Sequence, residues 1–427
     1  MGGRIACTRV RANGNVVSMV AHLGTLADLV LFSRAWRDPA PSSTSVAVQS
    51  WMRRVLWALI VAAFVVRVWI IVASIGSEDA RLWEGFATHI SERGLIATYE
   101  NRGDFNHPPA MAMFGWLSLE IAQALQTRFS LVFKVPFLVA DAATAWLLWK
   151  IWLDKGESRA TAVVALFSTS LVSILVAAYH CNTDTLCATF CLASAFAVHK
   201  KRWGWAGLLL GAAINVKLVP VMLIPVLTAF LPSRGALLRL GAGLAAWAIP
   251  FAILALLAPS ELLNNVLSYG SNPFQWGVIY FMQQSQATLP RVSGWIAQYY
   301  VENGRYILLA SMVCLGVLQR WRRTLNAFEA GALSLAVFMV LIPGFGIQYL
   351  VWPVPLMFAA HPGWATRYSV TAGVFAFLVY YLFWTQTSPW FSHFAMRLPP
   401  PTPLLGLLAW ALLCGYTAIG FRKLYAA

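Results

Sequence analysis

The chain has 427 residues, of which 59% are hydrophobic and 11% are charged, and its formal net charge at pH 7 is +15. A chain with this few polar residues cannot form the polar surface of a soluble protein of this size. The composition therefore excludes a soluble globular protein and predicts a polytopic membrane protein. The basic residues form short clusters between apolar runs. This pattern follows the positive-inside rule and argues against nucleic acid as a partner.

The first 50 residues differ in composition from the rest of the chain. They carry scattered Arg residues and a Pro/Ser-rich run, without the basic start, short apolar core and cleavage site of a signal peptide. We therefore expect a disordered cytoplasmic leader over residues 1–50 and a transmembrane domain over residues 51–427. Met52, directly before two Arg residues, is an alternative translation start.

The apolar segments predict an all-α fold with about twelve transmembrane helices and both termini in the cytoplasm. About 20 apolar residues cross the hydrocarbon, and Lys and Arg mark the cytoplasmic loops. The predicted spans are 55–75, 131–152, 159–179, 183–198, two short helices within 203–231, 236–258, 306–318, 327–342, 349–360, 368–384 and 404–420.

Two segments need a separate interpretation. Residues 110–125 are short and contain Glu120, and the Lys/Arg cluster after 131–152 places both of their ends outside, so we expect an interfacial or re-entrant helix. Residues 203–231 are interrupted at Lys217 and Pro220. Two short helices that meet near Lys217 keep the following Arg residues inside and place Lys217 near the outer leaflet.

The first outer loop, residues 76–130, is the main polar interval. Its part from 77 to 109 holds six of the sixteen acidic residues of the chain. Ser77 and Gly94 are placed to begin and end a helix. One face of this helix is apolar, so it is predicted to lie on the membrane surface. That face comprises Leu82, Trp83, Phe86, Ala87 and Ile90.

Structural explanations compete with functional ones in this loop. Glu78 and Asp79 lie in the first helical turn, where acidic residues complement the helix dipole. The NHPP sequence at 106–109 predicts a rigid turn before a helix that begins at Ala110. That turn does not require Asp104 or His107, although a lone His is more often structural than catalytic.

The outer residues also carry a family resemblance. Five features occur in order: Glu78-Asp79 after the first span, Trp83 on the next helix, NHPP at 106–109, the Asn-Thr-Asp turn at 182–184, and the Lys217-to-Pro220 hairpin. Together they resemble the GT-C superfamily of integral-membrane glycosyltransferases over about residues 51–420, and most closely its polyprenyl-phosphate-sugar-dependent branches. The GFGIQYLVWP corner at 344–353 is similar to a late external motif of uncharacterised bacterial members.

The resemblance implies transfer of one sugar of the mannose, glucose or arabinose type from a polyprenyl phosphate to a hydroxyl. The acceptor would be a lipid-linked, glycan or protein hydroxyl on the outer face of the inner (plasma) membrane or, alternatively, in the endoplasmic reticulum membrane. Asp79 matches the position of the family's general base, and Glu78 is the neighbouring candidate. Lys217 matches the hairpin lysine that faces the donor phosphate. The other predicted substrate-binding residues are Asp104, His107, Asp184, Arg291, Arg305 and Gln348.

No cofactor is firmly predicted from the sequence. Some related branches use a divalent metal, but the Cys, His and acidic residues show no convincing ligand spacing.

A secondary transporter or lipid flippase is the alternative function, and it would normally show internal repeats with ionisable residues near the midplane. A glycan polymerase or ligase would favour a late outer loop rich in Arg and His, whereas residues 259–305 hold two Arg and no His.

Four ionisable residues fall within or near predicted spans, where such groups are functional candidates by default. They are Arg67, Lys134, Asp141 and Glu329. We expect Asp141 to form a structural pair with Lys134 or Arg67.

Overall fold

A computed structural model describes residues 46–268, 276–284, 290–383 and 401–425. The chain divides into two units, Met1–Val46 and Ala47–Ala427, and the description below applies to the second. Residues 1–45 of the predicted leader lie outside the described residues. The regular structure within the described ranges is helical, without strands, which confirms the predicted all-α class.

The amino-terminal part contains a long helix, three helices of the first outer loop and a second long helix. They are α1 (Val46–Ala73), α2 (Glu78–Arg93), α3 (Leu95–Asn101), α4 (Pro109–Ala124) and α5 (Phe129–Leu153). The central part consists of shorter segments. They are α6 (Glu157–Ser168), α7 (Leu171–Ile174) with a π-helical turn (Leu175–His180), α8 (Asp184–His199), α9 (Trp203–Val216), a 3₁₀ turn (Val219–Leu223), α10 (Ile224–Thr228), α11 (Arg234–Ala245), α12 (Ala248–Leu257) and α13 (Pro259–Glu261) with a π-helical turn (Leu262–Leu267).

The carboxy-terminal part again contains long helices. They are α14 (Val278–Gln284), α15 (Pro290–Arg322), α16 (Ala327–Leu341), a 3₁₀ turn (Ile347–Val351), α17 (Val354–Ala360), α18 (Pro362–Phe383) and α19 (Pro401–Tyr425). The helix α15, with 33 residues, is much longer than the span predicted at 306–318. Residue 384 of the predicted span 368–384 lies outside the described residues.

Several helices are long and apolar enough to cross a membrane. Among the described residues these are four, in α1, α5, α15 and α19, and the number rises to six when two bent helix pairs are each counted as one span. The remaining predicted spans correspond to shorter apolar helices of 10–17 residues or, for 368–384, to α18. The chain is thus a multi-pass membrane protein, while the number twelve stays a prediction.

Two of the predicted spans, 159–179 and 236–258, are bent. The pair α6 and Leu171–His180 bends by 56°, and the pair α11 and α12 bends by 53°. The second bend follows from Pro250 in the first turn of α12, because its ring would clash with a carbonyl one turn earlier in a continuous helix. The first bend involves no proline and depends on a side chain from α1.

That side chain is Arg67, which is fully buried and ion-paired with Asp141 of α5. Its Nε donates to Asp141 Oδ2 at 2.5 Å, and a second nitrogen donates to the carbonyl of Ser168 at 2.6 Å, at the end of α6. Ser173 Oγ donates to the other Asp141 oxygen at 2.8 Å. The expected structural pairing of Asp141 is confirmed, with Arg67 as the partner. Through Arg67, the bend after α6 is bonded to α1 and α5.

The other two ionisable residues near the spans also have structural contacts. Lys134 donates to the carbonyl of Ser74 at 2.7 Å and so caps the end of α1. Glu329 completes a capping box with Asn326, and its Oε1 accepts a hydrogen bond from Lys423 Nζ at 2.7 Å. Neither residue lines the cavity described below.

Candidate active site

The helix α2 forms one wall of the candidate site. Its boundaries agree with the predicted caps, because Ser77 Oγ accepts from the Asp79 amide at 3.3 Å and Gly94 ends the helix at φ 89°. Its apolar face packs against protein: Trp83 contacts Gly115 of α4 and the ring of Phe133 of α5. Leu82, predicted on this face, is 43% exposed because it lies about 90° around the helix from the centre of the buried face. The placement of α2 at the membrane surface stays a prediction.

Asp79 is held by one of its two carboxylate oxygens. Oδ2 accepts from Asn182 Nδ2 at 2.5 Å and lies 3.2 Å from His180 Nε2, whereas Oδ1 has no hydrogen-bond partner among the described residues. Burial alone would raise the pKa of Asp79, but the charge and hydrogen bond of His180, the Asn182 amide and the charge of Lys217 together lower it. The carboxylate is therefore ionised at neutral pH.

The partners of Asp79 come from the turn between α7 and α8. The π-helical turn ends at His180, and Cys181 adopts a left-handed conformation, φ 64° and ψ 48°, that reverses the chain before Asn182. Asn182 Oδ1 accepts from the amide of Thr183 at 2.7 Å and from Trp83 Nε1 at 3.4 Å. These contacts fix the amide orientation, so Nδ2 faces Asp79.

Close packing explains the glycine that precedes α2. Gly76 has φ 121°, and a Cβ atom there would lie 2.7 Å from the carbonyl oxygen of Tyr179 and 2.9 Å from Cys181 Cβ. The start of α2 is therefore packed directly on the turn that supplies His180 and Asn182. A residue with a side chain would separate the two segments.

Lys217 lies at the break between α9 and the following 3₁₀ turn, as predicted. Its Nζ is 3.0 Å from one oxygen of Asp184 and 3.1 Å from the other. It also lies 5.1 Å from the ring centroid of Tyr349 and 5.8 Å from that of Trp352. Asp184 is fully buried and accepts from Trp352 Nε1 at 2.8 Å, so its charge is paired and hydrogen-bonded.

The 3₁₀ turn after the GFG sequence supplies the opposite wall. Tyr349 stacks on Trp352 with ring centroids 3.9 Å apart. Gln348 lies beside them, and its buried Oε1 atom has no hydrogen-bond partner among the described residues. A Cβ at Gly346 would lie 2.5 Å from that same oxygen, so the glycine makes room for the Gln348 amide.

These elements enclose a cavity of about 400 Å³. Its wall is aromatic and polar, and Lys217 is the one Lys or Arg among its described lining residues. The lining residues are Asp79, Leu82, Trp83, Phe86, Asp104, Asn106, His107, Pro108, Asn182, Lys217, Leu218, Val219, Val266, Gln348, Tyr349 and Trp352. A concave site with an apolar wall and a few convergent polar groups is typical of small-molecule binding.

The segment 102–109 contributes a neutral histidine and a paired carboxylate to this cavity. The ring of His107 packs on Trp83 with centroids 4.2 Å apart. Burial, and then the charge of Lys217, lower the pKa of His107 to about 3, so its imidazole is neutral at physiological pH. Arg102 binds both oxygens of Asp104 at 2.9 Å, and this hydrogen bonding lowers the pKa of Asp104.

The predicted site residues thus have different positions. Five of them line the cavity: Asp79, Asp104, His107, Lys217 and Gln348. Asp184 lies behind Lys217. Glu78 does not line the cavity: its side chain is 48% exposed and lies 3.9 Å from Arg81. Consecutive helical residues point about 100° apart, so Asp79 and Glu78 cannot both face the same wall.

Of the two predicted outer-loop cations, Arg305 does not line the cavity. Arg305 is exposed and donates to the hydroxyl of Tyr306 at 3.0 Å. The side chain of Arg291 lies outside the described residues. The part of the chain that the structure describes contains no group of three or more His, Cys, Asp or Glu side chains that could hold a metal ion.

Sequence reasoning did not assign roles to His180, Asn182, Tyr349 or Trp352. All four lie in or directly beside two segments that the sequence predicts to be external, the Asn-Thr-Asp turn at 182–184 and the GFGIQYLVWP corner at 344–353. The available signal was a cluster of polar and aromatic residues between apolar helices. It did not indicate which side chain faces which partner.

The helices and the enclosed polar cavity define a multi-pass membrane protein with a small-molecule site. Residues 170–344, somewhat less than half of the chain, match the family model of glycosyltransferase family 87, a GT-C-type family of membrane glycosyltransferases. The match confirms the resemblance inferred from the motifs and supports glycosyltransferase activity. It covers the 182–184 turn and Lys217, whereas Asp79 precedes it. A comparison with curated proteins gave no match.

Proposed function

We propose that this membrane glycosyltransferase moves a single sugar from a polyprenyl-phosphate donor to an acceptor hydroxyl, with Asp79 as the general base. One observation carries the proposal. Asp79 and Lys217 line the same cavity, together with aromatic residues and Gln348. A base and a cation at one small-molecule site are what this transfer requires.

The reaction assigns a task to each group. The acceptor oxygen attacks the anomeric carbon of the sugar while its proton passes to Asp79 Oδ1. The bond between that carbon and the phosphate oxygen breaks, and the phosphate leaves with the electron pair. Phosphate is already a good leaving group, so an inverting single displacement needs only this carboxylate.

Lys217 is suited to stabilise the leaving phosphate. Negative charge develops on the phosphate oxygens in the transition state, and a fixed cation in a partly dry site stabilises it more than water does. The side chain of Lys217 is only 11% exposed, and Asp184 and two aromatic rings hold its ammonium group in place. Its remaining N–H groups are available to a ligand in the cavity.

The cavity walls are consistent with a sugar as the transferred group. A volume of about 400 Å³ lies within the range of small-molecule sites. Trp83 and Tyr349 offer aromatic surfaces, while Gln348 and the neutral His107 offer hydrogen-bonding groups. We infer that a hexosyl or pentosyl unit, for example mannose, glucose or arabinose, occupies this space.

The proposed topology places the cavity on the outer face of the membrane. Twelve spans, with interfacial helices in the first outer loop, keep the Lys/Arg clusters in the cytoplasm. The donor and a lipid-linked, glycan or protein acceptor would then meet outside the inner (plasma) membrane of a cell envelope. The endoplasmic reticulum membrane is the alternative location.

A transfer assay tests the proposal. Purified protein is incubated with labelled mannosyl, glucosyl and arabinosyl polyprenyl phosphates and a membrane extract that supplies acceptors. We expect label to move from one donor into a product with the wild type. The absence of transfer from every donor, together with solute or lipid movement across reconstituted vesicles, would favour the secondary transporter or lipid flippase instead.

A further inference from the structure

His180 is a fully buried histidine with a partner at each ring nitrogen. Its Nδ1 lies 3.1 Å from Ser77 Oγ, and its Nε2 lies 3.2 Å from Asp79 Oδ2. The ring also packs against Tyr380, with centroids 5.5 Å apart. The imidazole therefore lies between the hydroxyl of Ser77, which caps α2, and the carboxylate of Asp79.

The position of the Ser77 proton determines what the histidine must donate. Ser77 Oγ lies 2.6 Å from the carbonyl oxygen of His180, and two oxygens this close need a proton between them. A carbonyl carries none, so the single hydroxyl proton of Ser77 is committed to it. The contact between Ser77 Oγ and His180 Nδ1 then requires the proton to be on Nδ1.

The other ring nitrogen faces a carboxylate oxygen. With a proton already on Nδ1, a neutral ring would present the Nε2 lone pair to the ionised Asp79, and the two lone pairs would repel each other. A second proton on Nε2 converts this contact into an attractive ion pair with Asp79, whose Oδ2 lies 3.2 Å away. An imidazolium, protonated at both nitrogens, therefore suits both contacts.

We propose that His180 is a positioning residue that, as an imidazolium, binds Oδ2 of Asp79 and thereby directs the free Oδ1 into the cavity. This inference rests on the proposed function, because it concerns the base of that reaction. Asn182 donates a hydrogen bond to the same oxygen, so the carboxylate cannot rotate without losing this hydrogen bond and the contact with His180. Such preorganisation keeps a general base in reach of its proton.

The arrangement contains the residue types of a hydrolase triad in the opposite order. In a Ser-His-Asp triad the serine faces the substrate and the aspartate lies behind the histidine. Here Ser77 is fully buried, whereas Asp79 lines the cavity. The histidine therefore serves the carboxylate, and the serine fixes the ring.

Two substitutions at His180 separate positioning from packing. His180→Gln can present an amide N–H to Asp79 but does not titrate, whereas His180→Phe keeps a ring beside Tyr380 without a donor. We expect His180→Phe to lower kcat about 10- to 100-fold, the value of one charge-assisted hydrogen bond, with little change in KM for the donor. His180→Gln should retain more activity than His180→Phe, because its amide N–H can still face Asp79.

A matched control is His89 on α2, which does not line the cavity. Its Nδ1 atom lies 2.9 Å from Thr98 Oγ1. His89→Gln should leave kcat unchanged. The inference is overturned if folded His180→Gln transfers no faster than His180→Phe, or if folded His180→Phe turns over normally. Absence of transfer by the wild type from every donor would instead refute the proposed function.

Discussion

Asn182 donates to Oδ2 of Asp79 at 2.5 Å, although the two residues are 103 positions apart in the chain. Two residues further along, Asp184 binds Lys217 with its buried carboxylate. One short turn thus holds both the proposed base and the proposed phosphate-binding cation. Its conformation determines the separation between the groups that would act on the acceptor and on the donor.

Replacing the proposed base should abolish transfer without unfolding the protein. Asp79→Asn preserves side-chain size but cannot take up a proton at neutral pH, so we expect a loss of about 10²- to 10⁴-fold in rate with donor binding retained. Glu78→Gln and Asp104→Asn are the matched controls and should keep measurable transfer. Normal turnover by Asp79→Asn, together with inactivity of either control, would assign the base to the other carboxylate.

Acid should inactivate the enzyme through the same carboxylate. The pKa of Asp79 is lowered in the folded protein, so the ionised form, and any stability it contributes, is present at neutral pH and is lost as the pH falls through that lowered value. The acidic limb of the rate profile should therefore lie below the range of an ordinary Asp. A limb near the pKa of an unperturbed carboxyl group would contradict this assignment.

Lys217 should be examined together with its partner. Lys217→Met alone leaves the buried Asp184 carboxylate unpaired, which typically costs about 3 to 5 kcal/mol. Combining it with Asp184→Asn removes that charge and keeps an acceptor for Trp352 Nε1. We expect the double variant to regain thermal stability but not donor affinity, measured by binding of a polyprenyl-phosphate sugar. Donor affinity equal to the wild type would limit Lys217 to a structural role.

The ion pair of Arg67 and Asp141 should matter for folding and not directly for chemistry. Arg67→Met leaves a buried carboxylate without its partner and should lower the free energy of unfolding by about 3 to 5 kcal/mol. Adding Asp141→Leu should recover most of that loss. The exposed pair of Arg53 and Glu157 is the control, where Arg53→Met should cost less than about 1 kcal/mol. Equal unfolding temperatures for Arg67→Met and the wild type in detergent would refute the prediction.

Gly76 should tolerate no side chain. Gly76→Ala requires a positive φ and forces apart α2 and the turn before α8, so we expect a loss of about 1 to 3 kcal/mol in stability and a lower kcat. Gly85→Ala provides the contrast, because nothing lies within 4 Å of a Cβ built there. Its helix should become slightly more stable. Equal behaviour of the two variants would show that the contact with Tyr179 is not maintained in solution.

The proposed topology can be tested by labelling single cysteines in intact cells. Gly103→Cys should react with a membrane-impermeant reagent from outside, whereas Lys155→Cys should react only after permeabilisation. Position 155 is preferable to the neighbouring Gly156, whose φ of 107° disfavours a side chain. Cys314 is exposed and Cys414 is half-buried, so both are replaced by Ser in each variant, together with Cys7. Equal access to both positions from one side would exclude twelve spans in the proposed order.

Local chemistry predicted much of the fold. Ser77 and Gly94 mark the ends of α2 because capping depends on neighbouring residues alone. The break at Lys217 follows from segment length and charge. The bend after α6 was not predictable in this way, because no proline marks it and its carbonyl partner is Arg67, 101 residues earlier.

The candidate site was predicted less completely for a related reason. The sequence supplied Asp79, His107, Lys217 and Gln348 as residue types, but not the contacts among them. Choosing between Glu78 and Asp79 requires the rotation of α2 relative to a distant turn. That turn depends on a left-handed Cys181, a conformation that a cysteine does not signal in a sequence.

The pairing of Arg67 with Asp141 also bears on how the chain enters the membrane. Synthesis delivers Arg67 to the bilayer 74 residues before its carboxylate partner exists. An arginine at the centre of a lone helix costs about 2.5 to 3.5 kcal/mol on insertion, which the Val, Ile and Leu residues of α1 must offset unaided. The amino-terminal anchor of an incomplete chain is therefore weaker than that of the finished protein. The insertion of α1 is fully stabilised only when α5 is present and Asp141 pairs with Arg67.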